Sequence, residues 1–245
     1  MAALRRIWVF TRFVLSEYLR SGRLLIEVVA GIAFWTLFLR QPQSDLHHFF
    51  ATTGVFTLLL TIYTTSSFLG LGERPQGYIV LTRPLGRRGY LLSHYLAAVL
   101  TVAATYVTIT VLTRIAAPPF DWQLLSVLKG SLPLLLNVAL LAALLVLLSS
   151  LVVSSGWRLV VLALLAIALY SNAWHLWPAY RFIEPLQSLL SWPLYPPLAA
   201  FRLATTRDFS GEAPYILLAQ IALLVLLLSL ALSSFKRRDV ILHAR

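Results

Sequence analysis

The sequence contains no cysteine and few charged residues. Because none of its 245 residues is cysteine, disulfides, thiol catalysis and thiolate metal sites are excluded. It has only two lysines, Lys129 and Lys236, and neither follows the glycine spacing of a phosphate-binding loop. The adjacent histidines His47 and His48 diverge on a helix or a strand, and no acid cluster accompanies them. We therefore expect neither ATP hydrolysis nor a bound metal in this chain.

Apolar residues make up most of the chain. The hydrophobic fraction is 59% and the mean hydropathy is +0.82, with several apolar runs of about 20 residues, the length that spans a bilayer. The runs are evenly spaced, and only one connection is longer than about 20 residues, which leaves no room for a separate soluble domain. The composition therefore predicts an all-α integral membrane protein with a single domain, residues 1–245.

The basic residues are distributed unevenly between alternate connections. Fourteen of the twenty fall in the N-terminal segment, the second connection between spans, the short fourth connection and the C-terminal tail. The other six are Arg40, Arg114, Lys129, Arg181, Arg202 and Arg207. The positive-inside rule then predicts that both termini lie in the cytoplasm. We expect the chain to be a multi-pass protein of the cell's inner membrane. Since the net charge of +11 is explained in this way, we expect no nucleic-acid binding.

Six spans are predicted, preceded by an amphipathic helix. Residues 4–20 carry too many charges to span, and their apolar residues favour a helix lying in the inner interface, with a cytoplasmic extension of the first span as the alternative. The predicted apolar arc consists of Leu4, Ile7, Trp8, Val14, Leu15, Tyr18 and Leu19. The spans are 24–39, 49–71, 90–115, 132–153, 159–173 and 216–235, with Pro133 in the first turn of the fourth, where a missing N–H is harmless.

One acid, Glu27, lies inside a predicted span. A carboxylate at that depth is costly unless it is paired, and Arg23 or Arg20 is close enough in sequence to form an interfacial ion pair. The alternative is a proton or cation site. No second acid within the spans is available to relay a proton.

Threonines recur on the second and third spans. Those of the second span form one face at helical spacing, and the third span repeats the pattern. They are Thr53, Thr57, Thr61, Thr64 and Thr65, then Thr101, Thr105 and Thr108. Hydroxyl residues favour helix packing in membranes, and the alternative is an uncharged, mildly polar path for an amphipathic substrate.

The longest connection, residues 172–214, is rich in tryptophan, tyrosine and proline and has few charges. This composition predicts short, broken external half-helices that re-enter the outer interface before the last span. The alternative is a plain aromatic anchor at the membrane surface.

One long polar stretch, residues 73–95, has a residue order that suggests a specific function; its sequence is ERPQGYIVLTRPLGRRGYLLSHY. Two prolines and two glycines interrupt it, so it cannot be one continuous membrane helix. A shaped cytoplasmic loop between the second and third spans fits better. Its residues of interest are Glu73, Arg74, Gly77, Tyr78, Leu81, Arg83, Pro84, Arg87 and Arg88.

This stretch resembles the signature of type-2 ABC exporter permeases. The matching features are an acid, a glycine, an apolar stretch, Arg83-Pro84, Arg87 and Tyr90-Leu91-Leu92, and the C-terminal residues 235–239, FKRRD, are also similar to the way such permeases end. The resemblance implies that the loop contains a coupling helix seated on a partner ATPase, with the N-terminal helix beside it. The chain differs from the family pattern at Pro75, Gly86 and His94.

The resemblance also implies partners and a function. The chain would be one half of an exporter for a lipid, peptide, antibiotic or drug, pairing with a second permease copy or a related permease. Two nucleotide-binding subunits would supply ATP and Mg²⁺, while this chain binds no cofactor and contacts membrane lipid.

Three competing interpretations stay open. The loop arginines could serve only to orient the chain in the membrane. The chain could also be an ATP-independent secondary transporter or a membrane-embedded enzyme. Against these two, its halves do not match as inverted repeats, and it contains no paired His or acid constellation.

Overall fold

The computed structural model describes residues 2–40, 45–72, 86–149, 152 and 195–237, and all regular structure in these ranges is helical. The helices are α1 (Ala2–Arg20), α2 (Arg23–Phe34) with a π-helical continuation (Trp35–Leu39), α3 (Leu46–Gly72), α4 (Gly86–Ala116), α5 (Leu124–Leu147), α6 (Tyr195–Thr206) and α7 (Ala213–Arg237).

Four of these helices, α3, α4, α5 and α7, are long and apolar enough to cross a membrane. A fifth candidate arises if α1 and α2 with its continuation are counted as one bent span. The predicted second, third and sixth spans agree with α3, α4 and α7, whereas the predicted fifth span lies outside the described residues. The all-helical architecture with several helices of spanning length is thus confirmed, and the total of six spans stays a prediction.

The chain bends by 74° between α1 and α2. Ser21 ends α1 by donating its backbone N–H to the carbonyl of Glu17 at 2.9 Å. Gly22 follows with φ +74°, a left-handed conformation that glycine adopts without a steric penalty. Because of this bend, α1 is a separate helix rather than a straight extension of the first predicted span.

The side of α1 that packs on the bundle differs from the predicted apolar arc. Thr11, Val14 and Tyr18 are buried, whereas Leu4 and Trp8 are exposed. Phe10 adds a ring contact to Tyr90 at the start of α4, with centroids 5.7 Å apart. Of the predicted arc, Val14 and Tyr18 thus pack on protein, whereas Leu4 and Trp8 stay exposed on the outer side of α1, and the interfacial position of this helix stays a prediction.

Two helices, α3 and α4, contribute to every buried cluster of the described residues. The buried side chains fall into three clusters, and both α3 and α4 contribute to all three. The first cluster also takes residues from α2, α5 and α6, the second from α5 and α7, and the third from α1. The helices on either side of the 73–85 segment therefore take part in each of these buried clusters.

The fourth predicted span was placed too far along the chain. Its helix, α5, begins at Leu124 after the extended residue Gln123 and ends at Leu147, before the predicted end at Val153. Pro133 consequently lies inside the helix, not in its first turn. The predicted span begins after Lys129, whereas the helix already includes this lysine.

A polar cluster joins α5 to α6 and α7. The Gln220 Nε2 donates to the Asn137 Oδ1 at 2.8 Å, and the Asn137 Nδ2 donates to the carbonyl of Pro197 at 2.9 Å. Both side chains are buried. Such hydrogen bonds are a common means of holding helices together in membranes.

The short helix α6 lies within the connection for which broken half-helices were predicted. Its residues Ala200, Leu203 and Ala204 are buried, so it packs into the bundle rather than only along its surface. Phe201 lies so close to Gly54 of α3 that a Cβ there would be 2.6 Å from the ring. Residues 172–194, the rest of the aromatic connection, lie outside the described residues.

Asp121, in the turn between α4 and α5, accepts hydrogen bonds from two other segments of the chain. Its Oδ1 accepts the backbone N–H of Leu46, the first residue of α3, at 2.7 Å. Its Oδ2 accepts Nη1 of Arg207, which follows α6, at 3.0 Å. Asp45 adds a second carboxylate at the start of α3, accepting the N–H of His48 at 2.8 Å.

Candidate functional site

A groove of about 620 Å³ lies between α1, α2 and α4. Among the described residues that line it, most are aliphatic and one, Glu27, is charged. The lining consists of Leu15, Tyr18, Leu19, Leu24, Glu27, Val28, Gly31, Ile32, Leu100, Thr101, Ala104, Thr105, Thr108, Ile109 and Leu112. The volume falls in the range of about 300 to 1,000 Å³ that is usual for small-molecule sites.

Two hydroxyl groups hold the Glu27 carboxylate in place. The hydroxyl of Tyr18 and that of Thr64 each donate to Oε1 at 2.5 Å. The Glu27 side chain is only 1% exposed, and its Oε2 has no hydrogen-bond partner among the described residues. One carboxylate oxygen is thus saturated by donors, while the other is buried without any.

The position of Tyr18 depends on the bend after α1. Its ring stacks on Phe68 of α3 with centroids 4.2 Å apart, and the turn at Gly22 brings its hydroxyl back to Glu27 on α2. Tyr18 and Glu27 are nine residues apart, and Thr64 is 37 residues away from Glu27. The contact between Tyr18 and Glu27 could not be read from the sequence, because a separation of nine residues is no helical repeat and the bend was not predicted.

The predicted ion pair of Glu27 is wrong. Arg23 instead donates from Nη1 to the backbone carbonyl of Ser67 at 2.7 Å, and Arg20 is exposed. Within the described ranges, no cation lies within salt-bridge distance of Glu27. Arg23 is therefore directed toward the last turns of α3 and away from Glu27.

The threonines of the second span are buried inside the bundle. Thr57 and Thr61 donate to the carbonyls four residues earlier, at 2.6 and 2.7 Å, and Thr64 donates to Glu27. Thr53 and Thr65 are also buried, but their hydroxyls have no partner among the described residues. None of these five is among the described residues that line the groove.

The threonines of the third span lie on the groove. Thr101, Thr105 and Thr108 all line it, and each donates to a carbonyl four residues earlier in α4. A hydroxyl bonded in this way keeps oxygen lone pairs that can still accept a hydrogen bond. The two threonine sets, for which packing and a substrate path were the alternatives, thus lie in different places: the third-span set lines the groove, and the second-span set reaches it only through the hydrogen bond of Thr64 to Glu27.

Most residues of the predicted coupling loop lie outside the described residues. These are Glu73, Arg74, Gly77, Tyr78, Leu81, Arg83 and Pro84. Arg87 and Arg88 belong to the first turn of α4, and the Arg88 side chain is exposed.

The described residues contain no group of three or more His, Asp or Glu side chains that could hold a metal ion. The Nε2 of His48 lies 3.5 Å from the hydroxyl of Thr52, one turn further along α3. The chemistry available at the groove is that of a single carboxylate beside hydroxyl and aliphatic groups.

Comparisons with known proteins add no assignment. The chain matches no model of a known protein family, and no curated protein matches it. The resemblance to type-2 ABC exporter permeases therefore rests on the loop residues 73–92, on residues 235–239 and on the predicted six-span topology.

Proposed function

We propose that this chain is the transmembrane permease subunit of a type-2 ABC transporter, exporting an amphipathic or hydrophobic substrate with ATP hydrolysed by a separate subunit. The observation that carries the proposal is the residue order from Glu73 to Leu92, which follows α3 directly and includes the first residues of α4, both helices being long and apolar enough to cross a membrane. It combines an acid, four arginines and helix breakers in the order typical of a coupling loop.

The position of this stretch supports a mechanical role. It connects α3 directly to α4, and these helices contribute to all three buried clusters. Interiors this closely packed transmit displacement rather than absorb it. A partner that moves the loop would therefore shift the two central helices together and, with them, the third-span wall of the groove.

The distribution of charge supports the orientation. With both termini and the loop in the cytoplasm of the inner membrane, the arginines face a soluble partner, and guanidinium groups are well suited to carboxylates on such a surface. The complete transporter would contain two permease subunits, identical or related, and two ATPase subunits that bind ATP and Mg²⁺.

Charge reversal in the loop tests the proposal. The double variant Arg83→Glu, Arg87→Glu, co-expressed with ABC ATPase subunits of the same genome, should insert normally but lose ATPase co-purification or substrate-stimulated ATP hydrolysis. Arg40→Glu, a reversal at an exposed residue beyond the other end of α2, is the matched control and should retain both. If the inserted double variant couples like the unmodified chain, the arginines have only an orienting role.

A further inference from the structure

The groove between α1, α2 and α4 contains a buried acid without a counter-charge. Glu27 is 1% exposed, no described cation pairs with it, and its Oε2 has no described partner. An ionised carboxylate within a membrane is expensive unless a charge partner or a proton compensates it. Such residues usually face a site or a pathway rather than lipid.

We propose that this groove binds a lipophilic organic cation, whose charged group pairs with Glu27 and whose apolar body lies along α4. The inference rests on the proposed transport function in one respect only: it takes the bound cation to be the transported substrate. The binding site itself depends on the groove and on Glu27.

The hydrogen bonds that Glu27 already makes favour a cationic ligand over a neutral one. Tyr18 and Thr64 both donate to the same oxygen, Oε1, which leaves Oε2 enclosed and without a partner among the described residues. A positive charge brought into the groove, which Glu27 lines, would compensate the carboxylate at short range.

The lining of the groove fits the rest of such a ligand. Its described residues include no lysine, arginine or histidine, so nothing there attracts an anion. Aliphatic side chains from three helices surround the acid, and Thr101, Thr105 and Thr108 offer only hydroxyl oxygens. A bulky apolar cation is therefore matched in charge and in surface, whereas a small hydrated cation would remain poorly solvated.

The test uses two ions of the same shape and opposite charge. Binding of radiolabelled tetraphenylphosphonium and tetraphenylborate is measured by equilibrium dialysis with the purified full chain in a neutral maltoside detergent. We expect saturable binding of tetraphenylphosphonium and none of tetraphenylborate. Equal binding of both ions, or no saturable binding of the cation, overturns the proposal.

Two variants locate the binding. Glu27→Gln keeps the size and the acceptor for Tyr18 and Thr64 but removes the charge, and it should weaken cation binding on the order of tenfold or more, as loss of a buried charge partner does. Ala104→Phe fills the groove from an exposed position of α4, keeps Glu27, and should also weaken binding. Glu17→Gln, which removes an acid of α1 outside the groove lining, should bind like the unmodified chain. Unchanged binding in both groove variants would refute the site.

Should Glu27→Gln fail to fold, Ala104→Phe alone decides, because its fold does not depend on the carboxylate. Adding phosphatidylethanolamine to the dialysis separates two sources of the same chemistry. Competition by this aminolipid identifies a membrane lipid as the natural occupant, and absence of competition identifies a free organic cation; both outcomes keep the cation site.

The outcomes also separate this inference from the proposed function. If the chain binds the cation but no ATPase subunit joins it, the site stands and the permease proposal fails. If the complex couples normally and cation-stimulated ATP hydrolysis is the same in Glu27→Gln, the cation site fails and the permease proposal stands.

Discussion

Replacing Asp121 by alanine should destabilise the bundle more than removing the arginine with which it pairs. Asp121 has two separate roles, because Oδ1 accepts the N–H of Leu46 at 2.7 Å and Oδ2 accepts Nη1 of Arg207 at 3.0 Å. The first contact satisfies a donor at the start of α3 that has no partner within its own helix. The second is an ion pair whose side chains are 21% and 31% exposed.

The two roles differ in magnitude. Loss of a carboxylate that caps a helix costs about 0.5–2 kcal/mol, and the negative charge near the helix N-terminus adds about 0.3–1 kcal/mol. A partly exposed ion pair contributes only about 0.2–1 kcal/mol. We therefore expect Asp121→Ala to lower the free energy of unfolding by about 2 kcal/mol and Arg207→Met by about 0.5 kcal/mol, with Asp121→Asn between them because its Oδ1 still accepts.

Thermal unfolding followed by intrinsic fluorescence suits this chain, since it has seven tryptophans and no cysteine for thiol-reactive dyes. For a domain of this size each kcal/mol corresponds to roughly 2–4 °C, so Tm should fall by about 4–8 °C in Asp121→Ala and by about 1–2 °C in Arg207→Met. Equal losses in the two variants would show that the ion pair, not the capping of α3, supplies the stability.

Two further predictions concern packing and topology. Gly130→Ala should lower the free energy of unfolding by about 1–3 kcal/mol, because its Cβ would overlap the buried ring of Phe50. Gly70→Ala, where a Cβ meets open space, is the control and should not lower it. For topology, Arg87→Cys and Trp192→Cys in this cysteine-free chain should react with an impermeant thiol reagent from opposite sides of the membrane, and reaction from one side would reject the six-span arrangement.

The helices that the sequence predicted well are those with long, uninterrupted apolar runs. The bounds of α3, α4 and α7 lie within about four residues of the predicted spans, because length and hydropathy alone determine such helices. The start of α5 was missed by eight residues, since Lys129 and Pro133 both suggested a later beginning. In a membrane bundle a lysine near a helix end and an internal proline are both tolerated, so neither marks a boundary.

The candidate site was less predictable than the helices. Glu27 and the threonines could be singled out from residue type and spacing, but the contacts between them depend on how distant helices meet. Tyr18 reaches Glu27 only because the chain turns at Gly22, and Arg23 turns away because Ser67 offers a carbonyl. Helical periodicity describes one helix at a time and contains no information on such contacts.

The described helices differ greatly in length, and this has a consequence for the surrounding lipid. At about 1.5 Å per residue, Arg23–Leu39 is only about 25 Å long, whereas α4 is about 45 Å long, against a hydrocarbon thickness of about 30 Å. A bilayer accommodates a short helix by thinning locally and a long one by tilting it.

In the proposed arrangement the bilayer would therefore be thinnest beside α2, on the side where the groove lies. The exposed Arg5, Arg6 and Arg12 of α1 would attract anionic headgroups to the same place. An amphipathic molecule held in the inner leaflet would then have only a short lateral distance to travel from the headgroup layer to Glu27.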